Sequence, residues 1–236
     1  MDDPSARQTP ESWPTTLDRV LRGSYLDEQA LANGRLDIPV RRLLVLGVAL
    51  GAIYGICLGT FRMFRGGDHA TQQMLASALK VPSLFMLTLL VTFPSLYVFT
   101  ALQRLPLQCG AMLRLLLLSN LVHLGVIASL GPVFAFFAAS TPSYSFLLLL
   151  DVAFFAIGGL IGCAMLQRAA RNAEASVPQT RRLLGVWCCV YAIVGAQMGW
   201  LLRPFVGNPQ IPFAWLRPTE GNVLVGLMDT IGALFR

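Results

Sequence analysis

Charge is what this chain has least of. Asp, Glu, Lys and Arg make up 13% of its 236 residues, against roughly a quarter in an average soluble domain. Histidine occurs twice, and lysine only once, at Lys80. Such sparse titratable equipment argues against acid–base catalysis. The nucleophile elbow G-x-S-x-G, the phosphate loop, the dinucleotide fingerprint and the H-E-x-x-H zinc signature are all missing, as is any pair of carboxylates within an apolar run. The expectation is a protein that is not an enzyme and needs no cofactor. The five cysteines are odd in number and include no C-x-x-C, so they read as small packing residues rather than metal ligands or a redox motif. One histidine inside an apolar run, His123, cannot by itself supply bis-histidine haem ligation.

What is present is apolar. Hydrophobic residues make up 55% of the sequence, concentrated in five runs at 43–61, 81–102, 115–139, 144–166 and 183–202. Each is close to the roughly 20 residues a helix needs to cross a hydrocarbon core about 30 Å thick. The expected fold class is therefore an all-α integral membrane protein, with five transmembrane helices and interfacial helices at both termini. Residues 1–40 form a cytoplasmic segment, 41–203 the membrane domain, and 204–236 an exterior loop rich in proline and aromatics that leads to an interfacial or re-entrant helix. The first apolar run begins only at Leu43, with no cleavage pattern after it, so the first span is expected to serve as its own insertion signal.

The net charge of +6 reads as a topology signal rather than a nucleic-acid footprint. The N-terminal segment and the second and fourth connections hold twelve of the basic residues, and the other side holds Arg62, Arg65, Lys80, Arg203, Arg217 and Arg236. The positive-inside rule then places the N-terminus in the cytoplasm and the C-terminus outside. Arginine used almost to the exclusion of lysine hints at a GC-rich bacterium, hence a bacterial cytoplasmic membrane.

Within the spans, Asp151 is the one formally charged side chain, and an intramembrane carboxylate normally faces a bundle interior or a wet cavity. It lies about 10 Å down the fourth span at about 1.5 Å per residue. The same depth on the other spans reaches Tyr54, Thr88, Ser129 and Gln197, an expected polar layer able to hydrogen-bond the carboxyl group. His123, with Ser119 and Asn120 a turn earlier, sits nearer the inner face, too far in depth to pair with Asp151. Such a layer serves either as a structural tie between helices or as part of an ion- or proton-conducting path.

The first span repeats glycine every fourth residue, at Gly47, Gly51, Gly55 and Gly59, which leaves a groove free of side chains. It suits either another span of the same chain or a second copy, and we expect a homo-oligomer interface there. Pro94 and Pro132 interrupt the second and third spans, with Thr92 and Ser95 placed to satisfy carbonyls that Pro94 frees. Leu17, Val20, Leu21, Tyr25 and Leu26 fall at helical spacings, which predicts an amphipathic helix on the inner membrane surface with Thr15 or Thr16 as N-cap. Residues 70–79 predict a short interfacial helix on the opposite side. Arg203, Phe205, Trp215 and Arg217 are expected to gate or cap the exterior mouth, and Glu220-Gly221-Asn222 to start the terminal helix.

The stretch from Lys80-Val81-Pro82 to Phe93-Pro94-Ser95-Leu96-Tyr97-Val98-Phe99 resembles a segment of uncharacterised bacterial five-span proteins, and Arg203-Pro204-Phe205-Val206-Gly207-Asn208-Pro209 is similar to their C-terminal motif. The order of segments loosely resembles the Yip-domain family of membrane-trafficking scaffolds. Neither resemblance supplies functional residues. The leading expectation is a homo-oligomeric conducting protein, and the alternative is a non-conducting scaffold that acts through other membrane proteins. Membrane lipid is a partner in either case, and nucleic acid in neither.

Overall fold

A computed structural model describes residues 12–22, 39–66, 68–102, 109–173, 180–218 and 221–234. Among these residues the chain is all helical: α1 (Trp13–Leu21), α2 (Val40–Phe64), α3 (Ala70–Leu102), α4 (Cys109–Ser140), α5 (Tyr144–Ala173), α6 (Thr180–Leu202) and α7 (Val223–Leu234). The five helices α2 to α6 are long and apolar enough to cross a membrane, and α7 is apolar but short. This is the architecture the apolar runs predict.

The long helices close on themselves. α2 packs against α3 and α4, α4 against α5, and α6 bridges α3 and α5. Large side chains point inward, with Tyr54, Phe61, Leu124, Ile127, Phe134 and Leu147 almost wholly buried. Leu90, Leu160 and Ile193 are each about 70% exposed (69%, 72% and 70%), the apolar coat a bundle presents to lipid tails. α6 is the most peripheral span, with 11% of its apolar window buried.

The glycine repeat of α2 is used inside the chain. Gly47, Gly51, Gly55 and Gly59 are all buried. An added Cβ at Gly51 would lie 3.1 Å from the Pro82 nitrogen, at Gly55 2.7 Å from the Ala78 Cα, and at Gly59 2.5 Å from the Met74 Cα. α3 thus lies in the groove backbone to backbone, which only glycine permits. The homo-oligomer interface expected at these residues is corrected: a second copy finds the surface already covered. Gly158, Gly159 and Gly162 of α5 serve α4 likewise, facing His123 and Ser119.

Three further expectations shift. The short interfacial helix at 70–79 and the second span form one continuous 33-residue helix, α3. Its polar residues Gln73, Ser77 and Lys80 are buried because a loop from the far end of the sequence supplies their partners. α1 begins at Trp13, and the Thr15 and Thr16 hydroxyls donate to the Ser12 carbonyl from within its first turn instead of capping it. α1 also packs on the bundle instead of merely lying on a membrane surface. Thr16 and Val20 are buried, and Leu21 reaches Gly125 of α4. Tyr25 and Leu26 lie outside the described residues. Finally, Thr92 donates to the Thr88 carbonyl and Ser95 to that of Thr92, so neither reaches Leu90, the carbonyl four residues before Pro94.

Candidate functional site

Asp151 enters the bundle from the first turns of α5, and Tyr54 meets it from the middle of α2. The Tyr54 hydroxyl donates to Asp151 Oδ1 at 2.8 Å, with both residues buried. The pair ties two helices that have little other direct contact. Phe155, one turn below Asp151, lies edge-on to Tyr54 with ring centres 5.7 Å apart, and stacks on Phe85 of α3 at 5.9 Å. Phe85 in turn meets the His123 ring edge-on at 4.6 Å. A continuous aromatic layer therefore separates the carboxyl group from the buried histidine, in line with the expectation that the two do not pair.

The rest of the expected polar layer is not assembled. Thr88 is buried but donates to Leu84 of its own helix, 2.7 Å away. Ser129 is exposed and bonds Val126. Gln197 is exposed, and its Oε1 accepts from the Val223 amide at 3.5 Å, near the start of α7. The secondary group also disperses. Ser119 donates to the Gly162 carbonyl, Asn120 accepts from Tyr191 of α6 at 2.6 Å, and His123 rests on the glycine face of α5. Asn120 Nδ2 and His123 Nε2 are buried without a hydrogen-bond partner among the described residues. No group of three or more histidine, cysteine or acidic side chains among the described residues is placed to hold a metal ion.

The more elaborate polar construction lies at the opposite end of the bundle from α1, where residues 203–218 fold back over α2, α3 and α5. This loop has no regular secondary structure, so its carbonyls need donors from elsewhere. Arg62 donates to Asp68, Asn208 and Ile211 carbonyls at 2.7, 3.1 and 3.1 Å. Lys80 donates to Pro204 at 2.9 Å, Gln73 and Ser77 both donate to Phe205, and Tyr144 to Val206 at 3.2 Å. Gly207 lets the loop settle, since a Cβ there would sit 2.5 Å from Gln73 Cγ. Phe205 and Val206 then enter the core beside Tyr54 and Phe61.

Of the expected capping residues, Phe205 does close the bundle, whereas Trp215 is 54% exposed and packs only on Phe213. The Arg203 guanidinium lies 3.6 Å over the Trp200 ring and donates to the Pro218 carbonyl at 2.9 Å. The Arg217 amide donates to the Arg203 carbonyl. Asn222 caps α7, its Oδ1 accepting from the Leu224 and Val225 amides at 3.1 Å each. Glu220 lies outside the described residues. Sequence reasoning missed Arg62, Gln73, Ser77, Lys80 and Tyr144 as a group. The signal was there: cations and amides at the ends of apolar runs, opposite a proline-rich segment with no ladder of its own.

Compared with known protein families, curated proteins and solved structures, the chain matches none. Its class rests on its own physics. It is a multi-span helical membrane protein.

Proposed function

We propose that this protein is a non-conducting membrane scaffold, resident in the bacterial cytoplasmic membrane with α1 on the cytoplasmic side and the 203–218 loop outside, acting through lipid and partner membrane proteins. The observation that carries this reading is the Tyr54–Asp151 bond, backed by Phe155 stacked on Phe85. A carboxyl group held by a neighbouring hydroxyl and underlaid by aromatic rings ties helices together, and it offers an ion no continuous polar wall. The clamped loop supports the same reading. Arg62, Gln73, Ser77, Lys80 and Tyr144 hold it as a fixed outer face, a poor design for a gate that must open. The order of segments is also the Yip-like layout noted above.

Conduction through the bundle is the competing reading, and the unpartnered His123 Nε2 beyond the aromatic layer is what favours it. Reconstitution into liposomes separates the two. With a pH-sensitive dye inside and a potassium gradient imposed, the scaffold reading expects proton and potassium leakage equal to that of empty liposomes, with Asp151→Asn making no difference. Flux above that background that falls in Asp151→Asn overturns it.

A further inference from the structure

We propose that Lys80, Arg203 and Arg217 form an anion site at the loop end of the bundle, and that it takes a phosphate group. The inference is independent of whether the bundle conducts. It starts from a count of donors. Lys80, the only lysine in the chain, is 6% exposed, and one carbonyl, that of Pro204, accepts from its Nζ. An ammonium carries three donors. Arg203 gives Nη2 to Pro218 and lies flat on Trp200, but its Nε is buried with no hydrogen-bond partner among the described residues. Arg217 is fixed by its amide to the Arg203 carbonyl. Its charge acts on Lys80 and, with that of Arg203, on the Tyr144 hydroxyl.

Three cations are thus held in one neighbourhood, and none of them pairs with a carboxylate among the described residues. The carboxylate that acts on the same neighbourhood, Asp151, already accepts from Tyr54. Arg62 shows the contrast. It is equally buried, but three carbonyls occupy its donors, so it belongs to the clamp and not to the site. Like charges gathered without a counter-charge repel, and the cost falls when an anion enters. Two guanidinium groups and one ammonium match the charge and the several oxygens of a phosphate better than the single charge and two oxygens of a carboxylate. A lipid phosphomonoester headgroup and free inorganic phosphate share that chemistry.

The test uses the full-length protein in detergent at fixed ionic strength. Inorganic phosphate is titrated by calorimetry. Dioleoyl phosphatidic acid is offered separately, with phosphatidylcholine as baseline, and bound lipid is counted by native mass spectrometry. Saturable binding of phosphate assigns the site to the free ion, and selective retention of phosphatidic acid alone assigns it to a headgroup; either supports the proposal. Arg217→Gln, whose guanidinium holds no part of the loop, is expected to weaken binding about tenfold or more, the scale of a lost charge-assisted hydrogen bond. Lys80→Met is expected to act in the same direction. Arg65→Gln, an exposed cation at the same end that lies over Phe61, is expected to bind as the unaltered protein does. Binding of neither probe overturns the proposal, and so does binding that Arg217→Gln leaves intact while its thermal transition matches the unaltered protein.

Discussion

Alanine substitutions along the glycine groove of α2 should rank by depth of contact, and the ranking is sharp. At Gly47 an added Cβ meets nothing nearer than Leu124 Cδ1 at 3.5 Å, an ordinary contact. At Gly51 it meets the Pro82 backbone at 3.1 and 3.2 Å, so a small adjustment is needed. At Gly55 it lies 2.6 Å from the Ser77 carbonyl carbon and closer still to its oxygen, both backbone atoms with no rotamer to change. Restoring the 3.4 Å at which ordinary contact begins means parting α2 from α3 by about 0.8 Å. A gap of that size forfeits about a quarter to a half of each dispersion contact along the seam. Overpacking of this kind costs about 1–3 kcal/mol or more, against a helix-propensity gain of about 1 kcal/mol for replacing glycine. The expected net is loss of about 2 kcal/mol for Gly55→Ala, a similar loss for Gly59→Ala, little change for Gly51→Ala, and a neutral or slightly stabilising Gly47→Ala. On the soluble-protein scale, 2 kcal/mol lowers the midpoint of a chain this long by about 4–8 °C. Thermal unfolding in detergent, followed by tryptophan emission, reads the series, and size-exclusion chromatography with light scattering reads the assembly state. Equal effects at Gly47 and Gly55 would refute the reasoning. So would a Gly55→Ala protein that keeps its midpoint but changes its subunit number, which would return these glycines to an interface between copies.

Other outcomes follow from the same geometry. Tyr54→Phe leaves the buried Asp151 carboxyl group without its donor and should cost about 1–3 kcal/mol; adding Asp151→Asn should produce clear non-additivity in a double-mutant cycle by thermal or denaturant unfolding. Arg62→Met removes the donor to three carbonyls on two loops. Limited proteolysis is expected to open the segment around Ile211, which resists cleavage in the unaltered protein. At Gly226 a Cβ would collide with the Trp200 ring, so Gly226→Ala should displace the indole from beneath Arg203 and shift the tryptophan emission. An unchanged spectrum would count against the packing of α7 on α6.

The spans were legible because a bilayer demands long uncharged runs, and no soluble core imitates five of them. Depth was legible too: counting residues down each span brings Tyr54 to Asp151, where the hydrogen bond is found. Direction was not. A helix turns about 100° per residue, so a residue at the right depth still faces any way round the axis. Thr88 sits at the right depth but spends its hydroxyl on Leu84, and Ser129 points outward. The continuity of α3 was hidden for another reason. Gln73, Ser77 and Lys80 look like residues of a wet surface, and only the carbonyls of Pro204 and Phe205, more than a hundred residues later, make their burial tolerable. The glycine groove carried two readings because sequence marks a close approach but not the identity of the helix that approaches.

That long-range clamp orders events in time. Every side chain that receives the loop, Arg62, Gln73, Ser77, Lys80 and Tyr144, is synthesised before the loop itself. As the ribosome lengthens the chain, these groups wait at an apolar end with their hydrogen bonds unmade, and the arrival of Pro204, Phe205 and Val206 discharges them together. A nascent or truncated chain that stops short of the loop therefore displays a polar wound that a finished one has closed. In a cell, that difference is a ready mark by which membrane proteases tell an unfinished copy from a complete one.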